Sequence, residues 1–282
     1  FYPDWKVKTE VTYSEGKKNG YYKEFDPNGQ LLNVWKYFMD SLITDAPELA
    51  RLDVKTEYYE DGTKKYEGTF KDGKPEGIHN LFSPKGEVIK TRVYAEGILT
   101  GEGIMDAAGN EQGPWEEYHA NGSLKGKGEY KDGKRVGEWA FYHVNGKTEQ
   151  KGKYDKKGRP TGVWKWFYES GNLLREENYF ERKREGSMTE YSDSGTVITK
   201  GDYLEGLKEG KWEYRMGDYR EAGEYRSGQL SGEWNAWFVS NNQLKWKVAY
   251  VDGNPDGKFK EYTITGQPLK EGKYVMGTKD ND

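Results

Sequence analysis

Three histidines are the residues of this chain best suited to hold a metal ion. His119 and His143 each follow a tyrosine and are 24 residues apart, whereas His79 stands alone. If the chain repeats at this interval, equivalent positions lie two strands apart, about 9–10 Å, which is too far to share metal bonds of about 2 Å. We therefore expect edge histidines and predict no metal site.

No pair of carboxylates in the sequence stands out as catalytic. Asp132, Asp155 and Asp252 stand in turn-forming sequences, where the backbone preferences of aspartate explain them. A glycosidase needs two acids about 5–10 Å apart in a cleft, and a repeated sequence offers such pairs everywhere. The chain has no cysteine, and Gly101-Glu-Gly103 lacks the strand-to-helix context of a nucleotide loop. We predict no cofactor and no enzyme activity.

The composition favours a repeat protein. Hydrophobic residues make up 33% of the chain and charged residues another 33%, which is close to the range of disordered chains. Aromatic residues nevertheless reach 15%, so the rings must be buried locally, as in a quasi-one-dimensional repeat. The net charge of −4 is spread over mixed charges, which argues against a nucleic-acid partner. No apolar run is long enough to span a bilayer, so we expect membrane association only through an unseen anchor or a partner.

A unit of about 24 residues recurs along the chain. Its marker is a glycine followed two residues later by a large apolar residue, and from Gly113 onward successive glycines are 22 to 25 residues apart. Gly186 and Met188 continue the series. We interpret the other pairs as structural repeat residues: Gly113 and Trp115, Gly137 and Trp139, Gly162 and Trp164, Gly210 and Trp212, Gly232 and Trp234, and Gly257 and Phe259.

Each unit reads as a strand, a tight turn, a second strand and a second turn. Asn145-Gly146 and Asp132-Gly133 separate short aromatic runs, and such dipeptides favour type I′ hairpins, with positive φ at both central residues. Strands of five to seven residues leave no room for helices between them. The predicted fold is all-β: an elongated, single-layer antiparallel meander of roughly nine or ten tandem β-hairpin repeats.

We predict one continuous repeat domain over residues 1–277, followed by a polar tail over residues 278–282. An irregular insertion interrupts it at residues 33–54, where a short helix could begin at Pro47. A half-unit follows at residues 101–113, because Gly101 precedes Gly113 by only 12 residues.

The spacing of the rings bears on both structure and binding. Trp139 and Tyr142 are three residues apart, so either they lie on opposite faces of a strand or a bulge resets the alternation. The once-per-unit tryptophans are expected to be structural. The candidate partner-binding residues are the additional rings and those near the irregular insertion: Trp35, Phe38, Trp166, Trp237 and Trp246.

The segment Tyr130-Lys-Asp-Gly-Lys-Arg-Val-Gly137-Glu-Trp139-Ala-Phe-Tyr142 resembles the MORN repeat. It is most similar to the bacterial variant that carries Trp-x-x-Tyr and Asn-Gly, and the resemblance extends over nearly the whole chain. It implies a hairpin-repeat fold. Members of the family are proposed as protein scaffolds, membrane-associated modules and antitoxin-like proteins, and many bacterial ones resemble exported or lipid-anchored envelope proteins.

We therefore expect a non-catalytic scaffold or adaptor that binds another protein or protein complex. A subunit of a bacterial cell-envelope complex, in the periplasm or at the outer membrane, is the favoured setting, with the cytoplasm as the alternative. The missing initiator methionine at Phe1 fits a removed leader or anchor segment. Two other functions stay open: a glycan- or cell-wall-binding module that uses aromatic rows as stacking platforms, and an antitoxin-like protein that masks a toxin.

Overall fold

The computed structural model of the chain describes residues 1–3, 5–25, 27, 31–43 and 52–280, and the regular structure within them is β-strand alone. The short helix expected from Pro47, within the irregular insertion, lies outside the described residues. The first strands are β1 (Thr9–Ser14), β2 (Lys17–Phe25), β3 (Leu31–Phe38), β4 (Ser41–Ile43), β5 (Leu52–Tyr58), β6 (Lys64–Lys71), β7 (Lys74–Phe82), β8 (Val88–Ala95) and β9 (Ile98–Met105). The next are β10 (Glu111–Tyr118), β11 (Leu124–Lys131), β12 (Lys134–Tyr142), β13 (Thr148–Tyr154), β14 (Pro160–Phe167), β15 (Leu173–Phe180), β16 (Lys183–Tyr191) and β17 (Val197–Leu204). The last are β18 (Leu207–Met216), β19 (Tyr219–Arg226), β20 (Gln229–Phe238), β21 (Leu244–Val251), β22 (Asn254–Pro255), β23 (Gly257–Tyr262), β24 (Pro268–Val275) and β25 (Thr278–Asp280).

These strands form two antiparallel meanders. Strands β1 to β4 make one sheet and β5 to β25 make the second, in which consecutive strands pair and β21 contacts both β22 and β23. Among the described strands no register pairs β25 with β5, so the long sheet is open at both ends. The predicted all-β meander of tandem hairpins is confirmed. The segment predicted as a polar tail forms β25 over Thr278–Asp280. None of the elements in the described ranges is a helix that could cross a bilayer.

Two kinds of turn connect the strands. At Asp132-Gly133 both residues have positive φ, 52° and 70°, as the type I′ prediction requires. At Asn145-Gly146 only the glycine does, at 80°, so the type I′ prediction is wrong there. The Asn145 side chain accepts a hydrogen bond from the Lys147 N–H at 3.0 Å, and Gly146 donates to the His143 carbonyl at 2.8 Å. This is a type I turn that ends in a left-handed glycine, which asparagine stabilises by bonding the backbone two residues on.

Each repeat pairs an anchor strand, which carries the Gly-x-Trp marker, with the return strand that follows it. The indole of Trp164, on anchor strand β14, lies on Gly152 of return strand β13: a Cβ on that glycine would lie 2.2 Å from the ring. Trp139 lies on Gly128 in the same way, at 2.4 Å. The five repeat tryptophans are only 1–5% exposed. A ring lying on a backbone glycine thus lets a single-layer sheet bury its largest side chains.

Where the return strand lacks this glycine, the anchor strand lacks tryptophan. Glu177 stands at the glycine position of β15, and its neighbour on β16 is Met188. Val248 stands there on β21, and Phe259 follows on β23. Both departures replace the indole that would collide with the larger return-strand side chain by a smaller side chain, so each pair acts as one packing unit.

The two faces of the long sheet differ from β10 onward. We call the side of Trp139 the ring face and the opposite side the charged face. On the charged face Ala140 pairs with Lys127 and Lys151, and the Lys127 Nζ lies 5.9 Å from the centre of the Tyr142 ring. Trp139 and Tyr142 therefore lie on opposite faces, and both faces carry rings.

Strand β9 exchanges the faces. In the preceding unit His79 takes the place of the repeat tryptophan, and its register runs through Arg92 and Glu102 to Glu116, which lies on the charged face of the later units. Gly103 of β9 instead lies under Trp115, on the ring face. The half-unit is thus the single strand β9. It takes the place of an anchor strand beside β8 and the place of a return strand beside β10.

Candidate functional site

A concave groove of about 880 Å³ crosses the charged face between β8 and β14. We call it the central groove. Charged side chains alternate along it with small apolar ones, and it includes Lys90, Glu102, Pro114, Glu116, Lys127, Glu129, Glu138, Ala140, Lys151, Lys153, Val163 and Lys165. Charges of both signs along the groove can pair with complementary charges of a polypeptide partner.

The exchange of faces at β9 sets one end of the groove. The ring cluster around His79 occupies the same face on β6 to β8, with Phe70 at 5.1 Å and Tyr94 at 4.7 Å between ring centres. His79 is 3% exposed, and its ring nitrogens hydrogen-bond the Tyr66 hydroxyl and the Thr69 carbonyl, both at 2.7 Å. His79 is therefore a core residue. The groove begins on the strands beyond its ring cluster, where this face of the sheet is not covered by rings.

The end nearest this cluster is held by ion pairs. Glu102 accepts hydrogen bonds from Lys90 at 2.7 Å and from the Arg92 Nε at 3.2 Å. Burial disfavours the charged carboxylate, but these two bonds outweigh it and lower its pKa. The Tyr118 hydroxyl donates to Glu116 at 2.7 Å, and burial together with this bond raises the pKa of Tyr118. Glu102 therefore stays ionised at neutral pH, and the Tyr118 hydroxyl holds the Glu116 carboxylate in place.

The middle of the groove holds two lysines without acidic partners. Lys127 and Lys151 flank Ala140, and within the described residues neither forms an ion pair. Their ammonium groups lie over rings instead, Lys127 at 5.9 Å from Tyr142 and Lys151 at 5.6 Å from Phe167. Glu116 lies opposite Lys127 in the register but accepts from the Tyr118 hydroxyl and forms no ion pair with Lys127, so both lysines remain open to carboxylates of a partner.

The charges of the ring face are used internally. The Arg135 guanidinium lies 4.7 Å from the Trp139 ring and donates to Glu117 at 2.7 Å. Burial opposes its charge, yet the bond to Glu117 raises the pKa of Arg135. Tyr179 donates to the buried Glu177 at 2.5 Å, and burial together with that bond raises the pKa of Tyr179 to about 12. These groups stabilise the fold and are not available to a partner.

The predicted partner-binding residues do not meet in one place. Trp35 packs edge-on against Tyr22 in the first sheet, at 5.4 Å, and Phe38 of the same strand is 62% exposed. Trp166 lies on the ring face under the Arg175 guanidinium, at 4.3 Å.

The other two lie near the C-terminal end of the long sheet. Trp237 is on the charged face, 4.4 Å from the Arg220 guanidinium. It occupies the same repeat position as Tyr142, so it belongs to the unit. Trp246 lies on the ring face and lines a second cavity. None of the five lines the central groove, and their role in binding stays a prediction.

The groove itself was missed by sequence reasoning because it consists of lysine, glutamate and alanine, which are ordinary on a solvated strand. The one signal was Ala140, a small residue beside the repeat tryptophan, at a position where the other units from Gly113 onward carry larger polar residues: Glu116, Lys165, Thr189, Glu213, Asn235 and Lys260.

The two edge histidines join neighbouring turns. The His119 Nε2 bonds the Tyr142 carbonyl at 2.8 Å, and the His143 Nε2 bonds the Phe167 carbonyl at 2.9 Å. Across the part of the chain that the structure describes, no three histidine, aspartate or glutamate side chains are grouped to hold a metal ion.

Comparison with solved structures returns large assemblies. TcdB2–TccC3–TEV aligns over 96% of this chain at 11% identity and a TM-score of 0.18. A mutant Tc holotoxin pore of Photorhabdus luminescens aligns over 96% at 12% identity and a TM-score of 0.17. This chain spans 18% of the length of either protein. No curated protein matches the sequence.

The family comparison is specific to the hairpins. The model described as the MORN repeat variant matches residues 18–37, 54–72, 111–132 and 160–181. These segments coincide with the hairpins β2–β3, β5–β6, β10–β11 and β14–β15. The intervening hairpins repeat the same glycine and ring packing. The resemblance seen in the sequence is confirmed at these four segments, which are MORN repeat variants.

Proposed function

We propose that the chain is a non-catalytic scaffold that binds a protein partner along its charged face, with the central groove as the principal contact. Repeats of this family generally mediate protein or membrane interactions. The observation that carries the proposal is the pair of lysines, Lys127 and Lys151, which stand without acidic partners on either side of Ala140. A partner that places two carboxylates about 9–10 Å apart, two strand spacings, would satisfy both.

Site-specific photo-crosslinking in the source organism tests the proposal. A photoreactive residue at Ala140 lies inside the groove, whereas the same residue at Ala222 lies on the same face outside it and is the matched control. We expect one discrete crosslinked protein at position 140 and none at position 222. Lys127→Glu combined with Lys151→Glu should reduce this product at least about tenfold, since two charge-assisted contacts are reversed. The same products at both positions, or a yield that the double substitution leaves unchanged, would contradict the proposal.

The glycan-binding alternative is less well supported. A stacking platform needs an open ring face, and the five repeat tryptophans are 1–5% exposed. In the antitoxin-like alternative the bound partner is a toxin. The identity of the crosslinked protein distinguishes this alternative from a scaffold that binds another kind of protein. The cell-envelope setting stays a proposal that rests on the family resemblance, and fractionation of the source organism tests it separately.

A further inference from the structure

The rings of this protein repeatedly hold a cation of the chain itself. Two residues before the anchor glycine of β18, the Lys208 Nζ lies 4.6 Å from the Trp212 ring, 5.1 Å from Tyr214 and 5.0 Å from Tyr225. Arg135 and Arg184 occupy the same position in two other units, at 4.7 Å from Trp139 and 4.3 Å from Tyr203, respectively. The ring face therefore carries a series of cation-binding positions, which we call seats. In these units a lysine or arginine of the chain itself occupies the seat.

One seat near the C-terminal end of the long sheet lacks its cation. Pro255 stands at the Lys208 position, and a cavity of about 320 Å³ lies beside it on the ring face. The surrounding residues correspond one by one: Phe259 takes the place of Trp212, Tyr274 that of Tyr225, and Glu261 that of Tyr214. Trp246, Val248 and Tyr250 complete the lining.

An unpaired carboxylate distinguishes this seat from the other units that lack a cation there. Pro75, Glu111, Pro160 and Leu230 also occupy the Lys208 position, but the residue six further on is Leu81, Glu117, Trp166 and Ala236, respectively, and Glu117 is bound by Arg135. Beside Pro255 it is Glu261, which is half-buried and, among the described residues, forms neither a hydrogen bond nor an ion pair. Lys270 is opposite in the register but is exposed and does not line the cavity.

We propose that this cavity binds a trimethylammonium group, as found on choline and on the phosphocholine headgroup of lipids. Four aromatic rings line the cavity and can contact a cation, and Glu261 supplies the balancing charge. A quaternary ammonium needs no hydrogen-bond acceptor, so contact with the rings and the charge of Glu261 suffice to hold it. The volume is at the lower end of ligand pockets, which suits one small head group.

Calorimetric titration with choline tests the proposal, and 3,3-dimethylbutan-1-ol, the uncharged isostere of choline, is the ligand control. We expect saturable binding of choline and binding of the isostere that is at least about tenfold weaker, because only the cation gains from the ring faces and the carboxylate. Equal binding of both compounds, or no binding of choline, overturns the proposal.

Two substitutions locate the site. Pro255→Lys should fill the seat with the protein's own cation, as Lys208 does, and weaken choline binding at least about tenfold. Pro160→Lys, the same change in another unit, should leave choline binding unchanged. Glu261→Gln keeps the shape and should weaken choline binding several-fold without affecting the isostere. Choline binding that survives Pro255→Lys in a protein with unchanged circular dichroism overturns the assignment.

Binding to vesicles separates the two sources of the group. Sedimentation with phosphatidylcholine vesicles that Pro255→Lys abolishes identifies a lipid headgroup that reaches the cavity. Choline binding in solution without such sedimentation identifies a free small molecule as the ligand. Since the central groove lies elsewhere on the opposite face, failure of this proposal leaves the proposed scaffold function untouched.

Discussion

At Gly152 the indole of Trp164 occupies the space into which a side chain would project. A methyl group there would lie 2.2 Å from the ring, so either the ring or the strand has to move. Gly272 holds the same repeat position on β24, but its nearest neighbour would be Cε of Lys279, at 3.6 Å. The chain thus contains two equivalent glycines, one covered by a ring and one open.

We expect Gly152→Ala to lower the free energy of unfolding by about 2–3 kcal/mol, because overpacking displaces a buried tryptophan. Gly272→Ala should change it by less than about 0.5 kcal/mol, as at an uncrowded site. Urea denaturation followed by tryptophan fluorescence measures both. Equal effects at the two sites would contradict the packing role of Gly152.

The pair Glu177 and Met188 predicts a strong coupling. Met188→Trp alone should destabilise the protein, because the indole meets Glu177, and Glu177→Gly alone leaves the Tyr179 hydroxyl without its acceptor. The double substitution recreates the standard glycine–tryptophan pair and should be more stable than the sum of the two changes by about 2 kcal/mol. A double-mutant cycle from denaturant unfolding measures this coupling energy, and additive effects would refute the rule.

What the sequence predicts at this scale is local. The repeat glycines and tryptophans stand out because each unit repeats them in order. The central groove does not, because Lys127, Ala140 and Lys151 are distinguished only by which face they share and by which ion pairs they lack. Those properties depend on the registers of β11 to β13, and no single strand reveals them.

At the scale of single elements, the turn between β15 and β16 departs from its counterparts. Glu181 and Arg182 both have positive φ, 48° and 73°, yet most other two-residue turns have glycine at the second position, as at Glu205-Gly206. A side chain in the left-handed region costs roughly 1–2 kcal/mol. The hairpin therefore forms despite this turn, through the ring packing on either side.

Arg182→Gly should accordingly raise the free energy of unfolding by about 1 kcal/mol, because the left-handed conformation then carries no Cβ penalty. The converse change, Gly206→Arg in the next two-residue turn, should lower it by a similar amount. Thermal unfolding followed by circular dichroism measures both. A destabilised Arg182→Gly variant would show that Arg182 makes a contact that its exposed position does not suggest.

The turns also mark a limit of sequence reasoning. Asp132-Gly133 and Asn145-Gly146 look alike in sequence, but only the first is type I′. Asparagine can bond the backbone two residues ahead, which favours a longer loop with one left-handed residue. The choice therefore depends on the side-chain bond, which the dipeptide alone does not disclose.

At the scale of the whole molecule, a full unit of two strands is the smallest segment that can be removed while the repeat tryptophans before and after it stay on the same face of the sheet. Deleting residues 207–228 removes β18 and β19, joins β17 to β20 through the turn Glu205-Gly206, and places Gly201 under Trp234. Because repeat stability is a sum of unit and interface contributions, the shortened protein should unfold cooperatively with somewhat lower stability.

Deleting residues 207–218 removes only β18 and its turn, and it is the matched control. It would place β19, a return strand, next to β17, another return strand, so the rings of β20 onward would face the wrong side. We expect loss of cooperative unfolding in the C-terminal part, measured by scanning calorimetry and by tryptophan emission. Equal stability of the two deletions would show that the order of anchor and return strands is unimportant.

Strand β9 is a single additional strand that the natural sequence accommodates. Gly101 and Gly103 both provide room for Trp115, where a Cβ would lie 2.9 Å and 2.1 Å from the ring, respectively. One additional strand with two glycines under the next tryptophan therefore moves the buried rings of all later units to the opposite face of the sheet. Gain or loss of about a dozen residues can decide whether two partners dock on the same flank or back to back. Sidedness in such arrays can thus evolve in a single insertion, without alteration of any binding residue.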